Sequence, residues 1–205
     1  MQFQKNEIRT QILDVAREEF IKNGVKRTSM QSIASRVGIA ASNIYNYFKG
    51  KDDLLKDVLA PLFKAFAKYR EQNRCADYTT LDIFRYDTYY RMMHHQVTSL
   101  VIPYRKEFSL LIFDTDGTSL EGCFKRLQDR NVEDGLEYIR RMRELHPNIT
   151  TDISPLFVRI LCELWGGLIK SIVTNEDITE QELDRIISNY VRFGIGGWKN
   201  LMGVE

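Results

Sequence analysis

Along the whole chain, apolar side chains recur at spacings of three and four, and no segment alternates convincingly between apolar and polar residues. That repeat suits a helix of about 3.6 residues per turn and not the two-residue repeat of a strand. An all-α fold is therefore expected. The 205 residues are enough for one large domain or two small ones with a core that needs no disulfide staple. With 43 % hydrophobic and 28 % charged residues and only four prolines, collagen-like and disordered classes are excluded. No apolar run approaches the roughly 18 residues that would span a bilayer, and the start, MQFQKNEIRT, has no apolar signal region. The expected location is the cytoplasm. Cys75, Cys123 and Cys162 are odd in number and never form a CxxC pair, so free thiols acting as small apolar residues are expected.

Charge is distributed unevenly. The net charge is only +1, yet residues 1 to 51 hold nine Lys/Arg against four Asp/Glu, a segment of +5, and residues 52 to 205 hold twenty against twenty-four, a segment of −4. A small basic module carried by a larger body points to a polyanionic partner; a solvated basic face is the alternative.

The basic segment has its own organisation. Ile8, Ile12, Val15, Ala16 and Phe20 predict an amphipathic helix over 5 to 22, ended by Asn23-Gly24. Thr28 and Ser29 offer N-cap oxygens, with Gln31 three residues after Thr28 as in a capping box, for a short helix carrying Met30, Ile33, Ala34 and Val37 and stopping at Gly38. A third helix over 41 to 48 puts Ile44 and Phe48 on one side and Ser42, Asn43, Asn46 and Tyr47 on others. Two short helices joined by a tight turn and braced by a longer one have the architecture of a helix-turn-helix.

The stretch Thr28-Ser29-Met30-Gln31-Ser32-Ile33-Ala34, then Val37-Gly38-Ile39, then Asn43-Ile44-Tyr45-Asn46-Tyr47-Phe48-Lys49-Gly50-Lys51-Asp52-Asp53-Leu54-Leu55 resembles the N-terminal domain of TetR-family transcriptional regulators. The resemblance implies that Thr28 or Ser29 and the pair Tyr45 and Tyr47 touch phosphates, joined by Lys49 and Lys51, while residues near the start of the third helix, Ala41, Ser42 and Asn43 among them, face base edges. Asn43 or Asn46 suits adenine N6 and N7, and Ser42 suits either base type. Positions 40 and 41 are both Ala, where the family often has Ser followed by Lys or Arg, and no charge lies between Arg36 and Lys49. Phosphate attraction then falls to Lys5, Lys26, Arg27, Arg36, Lys49 and Lys51. The expected domains are 1–50, a helix-turn-helix DNA-binding domain, and 51–205, a helical effector-binding and dimerisation domain.

In the larger segment, Leu55, Leu59, Leu62, Phe66 and Tyr69 extend one apolar stripe over about five turns, with Pro61 inside it expected to kink the helix. Helices are expected over 81 to 102 and 103 to 113. Thr118 and Glu121 form a capping box for the next, which ends before Pro147; Ser154-Pro155 opens another, and Thr179 with Glu182 opens the last. Glycines inside the last two helices cost propensity, about 1 kcal/mol each against Ala, so close packing is expected there. A two-fold interface of Leu161, Gly166, Gly167, Leu168, Ile187, Tyr190, Gly194 and Trp198 fits, as does the family's dimer; neighbouring helices of the same subunit are the alternative. Paired modules would span half-sites about 34 Å apart.

His94 and His95 are adjacent on a helix and point about 100° apart, which does not suit one metal, and no HExxH, GxSxG or Walker motif occurs. No enzyme activity, metal or cofactor is expected. The resemblance implies a small-molecule pocket in the helical body, with Phe66, Phe84, Tyr89, Met93, Phe108, Phe124 and Trp165 as walls and Arg91 and His94 as polar anchors; ordinary core is the alternative for this stripe. The implied function is a homodimeric regulator, a repressor by family resemblance, that binds a near-palindromic operator and is released by an effector. The rival readings are a regulator without effector and a helical enzyme or carrier.

Overall fold

The computed structural model describes residues 2–72, 79–150 and 152–204; Cys75 lies outside them. Among the described residues every regular element is helical, with α1 Gln2–Asn23, α2 Met30–Val37, α3 Ala41–Ile44, α4 Lys51–Gln72, α5 Tyr86–Gln96, α6 Arg105–Phe113, α7 Cys123–Leu145, α8 Pro155–Thr174 and α9 Glu180–Met202. Among the described residues no helix is long and apolar enough to cross a membrane.

Helix ends follow local chemistry. Gly24 and Gly38 close α1 and α2 in the left-handed region, at φ of 78° and 80°, where a Cβ would be strained. Thr179 caps α9 by accepting the Glu182 N–H at 3.2 Å. Pro155 opens α8 at its first position, behind an N-cap Ser154 that makes no side-chain bond. Pro61 lies inside α4, which continues on both sides of it.

Three expectations are corrected. The cap of α2 is Ser29 paired with Ser32, not Thr28 with Gln31. The expected helix over 81 to 102 is instead a 3-10 turn Leu81–Phe84, then α5, then a wide π turn Val97–Val101 in which the Ile102 N–H donates to the Val97 carbonyl at 2.9 Å. Thr118 and Glu121 do not cap α7, because the Glu121 carboxylate accepts the Gly117 N–H at 2.9 Å and the helix starts only at Cys123.

The chain forms two compact units. The first comprises Met1–Ala65 and Tyr104–Phe124. Its core joins Ile12, Ala16 and Phe20 of α1 to Ile33 of α2, Ile44, Phe48, Leu55 of α4, and Phe108 and Leu111 of α6. Arg17 of α1 pairs with the buried Glu107 of α6 at 3.1 Å. This unit thus takes in more than residues 1–50, with α6 packed on α1. The second comprises Phe66–Pro103 and Lys125–Glu205. In it α5 packs along α9, and Val132, Ile139, Ile153, Val158 and Met202 form a core cluster.

Candidate nucleic-acid interface

The loop between α1 and α2 is fixed from inside. Thr28 is buried, and its hydroxyl donates to the carbonyls of Gly24 at 2.9 Å and Glu19 at 3.2 Å. Lys51, at the start of α4, donates its ammonium to the carbonyls of Thr28 at 3.0 Å and Lys26 at 3.2 Å. Of the two hydroxyls expected at phosphate, Thr28 is thus turned inward and Ser29 stays exposed. Ser29 accepts the Ser32 N–H at 3.0 Å while its own N–H donates to Ser32 Oγ at 3.2 Å. That reciprocal pair satisfies two of the amides that the start of a helix leaves without partners.

α3 is a single α-turn followed by tight turns, with the N–H groups of Tyr47 and Phe48 bonded to the Ile44 carbonyl at 3.0 and 3.2 Å. Ile44 and Phe48 anchor it, both fully buried, and the Arg9 guanidinium lies 5.0 Å from the centroid of the Phe48 ring. Ala41, Ser42, Tyr45 and Asn46 are exposed, and Asn43 and Tyr47 half-buried. Asn46 Nδ2 donates to Asn43 Oδ1 at 2.8 Å.

The cations divide into two sets. Arg36 is held by Glu18 at 2.7 Å and Glu19 at 2.8 Å, and its guanidinium keeps the Glu19 carboxyl below its ordinary range. Lys26 faces Asp116 at 3.7 Å across open solvent. Lys5, Arg27 and Lys49 are exposed and have no ion pair among the described residues. The cations expected to attract phosphate are thereby reduced: Arg36 is engaged by carboxylates and Lys51 by carbonyls inside the fold.

The family model described as "Bacterial regulatory proteins, tetR family" matches residues 12–58, the segment that builds α1 to α3 and opens α4. Residues 12–58 are thus similar to the N-terminal domain of TetR-family regulators. Among curated relatives, the HTH-type transcriptional repressor KstR2 of Rhodococcus jostii strain RHA1 is 34 % identical over 64 residues, 31 % of either chain. The fatty acid metabolism regulator protein of Bacillus subtilis strain 168 is 33 % identical over 63 residues, 31 % of this chain and 32 % of that one. These matches span about a third of the relatives' length. A TetR-like transcriptional regulator from Rhodococcus sp. RHA1 shares the fold over 93 % of this chain and 96 % of its own, at TM-score 0.62 and 16 % identity.

Sequence reasoning missed what ties the start of α4 to the loop after α6. Ser119 donates its N–H to Asp52 Oδ1 at 2.7 Å, the main reason, ahead of Lys56, that the Asp52 carboxyl stays below its ordinary range. Asp52 reads in sequence only as an acidic residue at a helix start. Its partner is 67 residues away, and no local signal marks it.

In the second unit a cavity of about 240 Å³ opens between α5, α7 and α9, lined by Ile83, Phe84, Tyr89, Met92, Tyr138, Ile195, Trp198 and Met202. Phe84 and Tyr89 are the expected wall residues found there, and burial pushes the Tyr89 phenol up to about 12. The other expected pocket residues do not line this cavity. Met92, not Met93, faces the cavity with Tyr89, one helical turn away. His94 stacks on Tyr90 at 5.5 Å, Arg91 donates Nε to the Asp87 carbonyl at 3.1 Å, and Trp165 packs on Tyr190 at 5.2 Å. Phe108 is core of the first unit and Phe124 belongs to that unit; Phe66 is half-buried in the second.

The residues expected at a two-fold interface also divide. Gly166 is buried, and a Cβ there would lie 2.1 Å from Gln128 Nε2; a Cβ on Gly194 would lie 3.2 Å from the Tyr89 ring. Those two glycines therefore admit neighbours from the same chain, and Ile187 is likewise buried. Trp198 lines the cavity, Tyr190 carries Trp165, and Leu161 and Leu168 are half-buried. Gly167, Gly196 and Gly197 have open space where a Cβ would stand. Around them Leu156, Phe157, Ile160 and Leu164 of α8 and Phe193 and Leu201 of α9 are exposed, a surface the sequence reading did not select.

Proposed function

We propose that the chain is a transcriptional regulator that binds a near-palindromic duplex operator as a homodimer through residues 1–50, the 51–205 segment serving dimerisation and effector binding. The observation that carries this reading is α3, anchored by two buried apolar residues and presenting hydroxyl, amide and phenol groups from a basic segment that matches the TetR-family model. Phosphate contacts are assigned to Ser29, Arg27, Lys49, Tyr45 and Tyr47, base contacts to Ala41, Ser42 and Asn46, and Asn43 to the base-reading surface as the partner that holds the Asn46 amide. Thr28 and Lys51 enter as residues that hold the loop in shape. The name of the relative KstR2, a transcriptional repressor, supports repression.

Dimerisation is assigned to the exposed apolar stripe of α8 and α9, where Gly167, Gly196 and Gly197 let a second copy approach closely. The cavity supports a small-molecule effector, which releases DNA to the extent that it binds the DNA-incompetent state more tightly. A mobility shift with DNA flanking the coding region, at several salt concentrations, tests the DNA-binding reading. Binding should fall steeply with salt, and Arg27→Ala and Lys49→Ala should each reduce the slope by about one. Salt-independent binding, or none, would overturn it.

A further inference from the structure

α3 and the turn after it offer DNA no cation with which to read guanine. No charged residue lies between Arg36 and Lys49. Arg36 is already held by Glu18 and Glu19. The bidentate contact of an arginine or lysine with guanine O6 and N7 therefore has no donor on this surface. What is exposed is the Ala41 methyl, the Ser42 hydroxyl, the Tyr45 phenol and the Asn46 amide. Hydroxyls serve either base type, whereas an amide sets a donor beside an acceptor and matches adenine N6 and N7.

The two asparagines differ in what they have left to offer. Asn46 Nδ2 gives one hydrogen to Asn43 Oδ1 at 2.8 Å. Asn46 then keeps its second N–H and its Oδ1, the pair that an adenine edge needs. Asn43 is half-buried, and the bond fixes the Asn46 rotamer before DNA arrives, so little side-chain freedom remains to be lost on binding. Resting on the DNA-binding reading above, we infer that Asn46 reads an adenine in each half-site, with Asn43 as its positioning residue. The operator class that follows carries a symmetry-related A·T pair facing the turn after α3.

The test starts from duplexes selected out of a random pool by the full-length wild-type chain. Each adenine of the selected site is then replaced by 7-deazaadenine, which keeps base pairing and removes the N7 acceptor. At one adenine per half-site this replacement, or a change to G·C, should weaken wild-type binding about ten- to a hundredfold. Asn46→Ala should bind all three duplexes alike while still discriminating at the other positions, and Asn43→Ala should narrow the discrimination at that same adenine only. A selected site without such an adenine, or a wild-type chain indifferent to 7-deazaadenine everywhere, overturns the readout; the wild-type arm holds even if a variant misfolds. Salt-dependent binding that persists in either case leaves the DNA-binding reading standing. Failure to retain any duplex removes both.

Discussion

In the first unit Ile12, Phe20, Ile44 and Phe48 are at most 1 % exposed, whereas on α8 and α9 of the second Leu156 is 66 % and Phe193 67 % exposed. Both units draw on the same apolar residue types. The first closes its core within one chain and turns polar groups outward on α3; the second leaves large apolar side chains of α8 and α9 exposed among the described residues. Exposed polar groups on a closed core suit a ligand met reversibly, and an exposed apolar stripe suits a partner of like character.

The comparison breaks most visibly if the stripe is made charged. Ile160→Glu with Leu164→Glu should take the particle from twice the chain mass to the chain mass in light scattering and leave the helical signal intact; an unchanged mass removes the stripe from the interface. Next, Phe20→Ala should lower the stability of the first unit by about 3–5 kcal/mol in thermal or urea unfolding, because it empties a fully buried site. A smaller loss would mean that α1 collapses onto the cavity.

The cavity wall gives a pH prediction. Burial raises the folded pKa of Tyr89 to about 12 from an ordinary 10.0. The stability linked to its neutral form is then complete below about pH 10 and falls away as pH rises to about 12, by roughly 3 kcal/mol in all. Denaturation midpoints followed against phenolate absorbance should show a smaller alkaline loss in Tyr89→Phe than in wild type; the part that remains comes from Tyr90, raised by its bond to Asp184, and Tyr190, raised by burial. The smallest effect is at the cap of α2, where Ser29→Ala should cost about 1 kcal/mol while the far larger core of the unit keeps it folded.

Much of the helical framework was legible in local pattern. Ile44 and Phe48 are one turn apart and share the buried side, Gly24 and Gly38 take the left-handed conformation at helix ends, and Thr179 caps where it is expected. Misreadings arise where a side chain has a distant alternative. Thr28 is a capping residue type just before α2, but the carbonyls of Glu19 and Gly24 hold its hydroxyl, and the cap is made by Ser29 and Ser32. Arg36 and Lys51 count as free cations in a sum of charges, yet acidic residues of α1 hold one and loop carbonyls the other.

Periodicity and end signals are local properties, set by 3.6-residue geometry and by hydroxyls and glycines within a turn of each helix end, so the sequence alone determined the helical class, most helix limits and the likeness of residues 12–58 to the TetR family model. Tertiary structure decided which of Met92 and Met93 faces the cavity, which glycines face Gln128 or Tyr89 and which face open space, and that α6 joins the first unit. Each of those outcomes depends on how helices far apart in the chain come to lie against one another, and a rotation of one helix by a fraction of a turn exchanges the buried and the exposed neighbour without altering any local pattern.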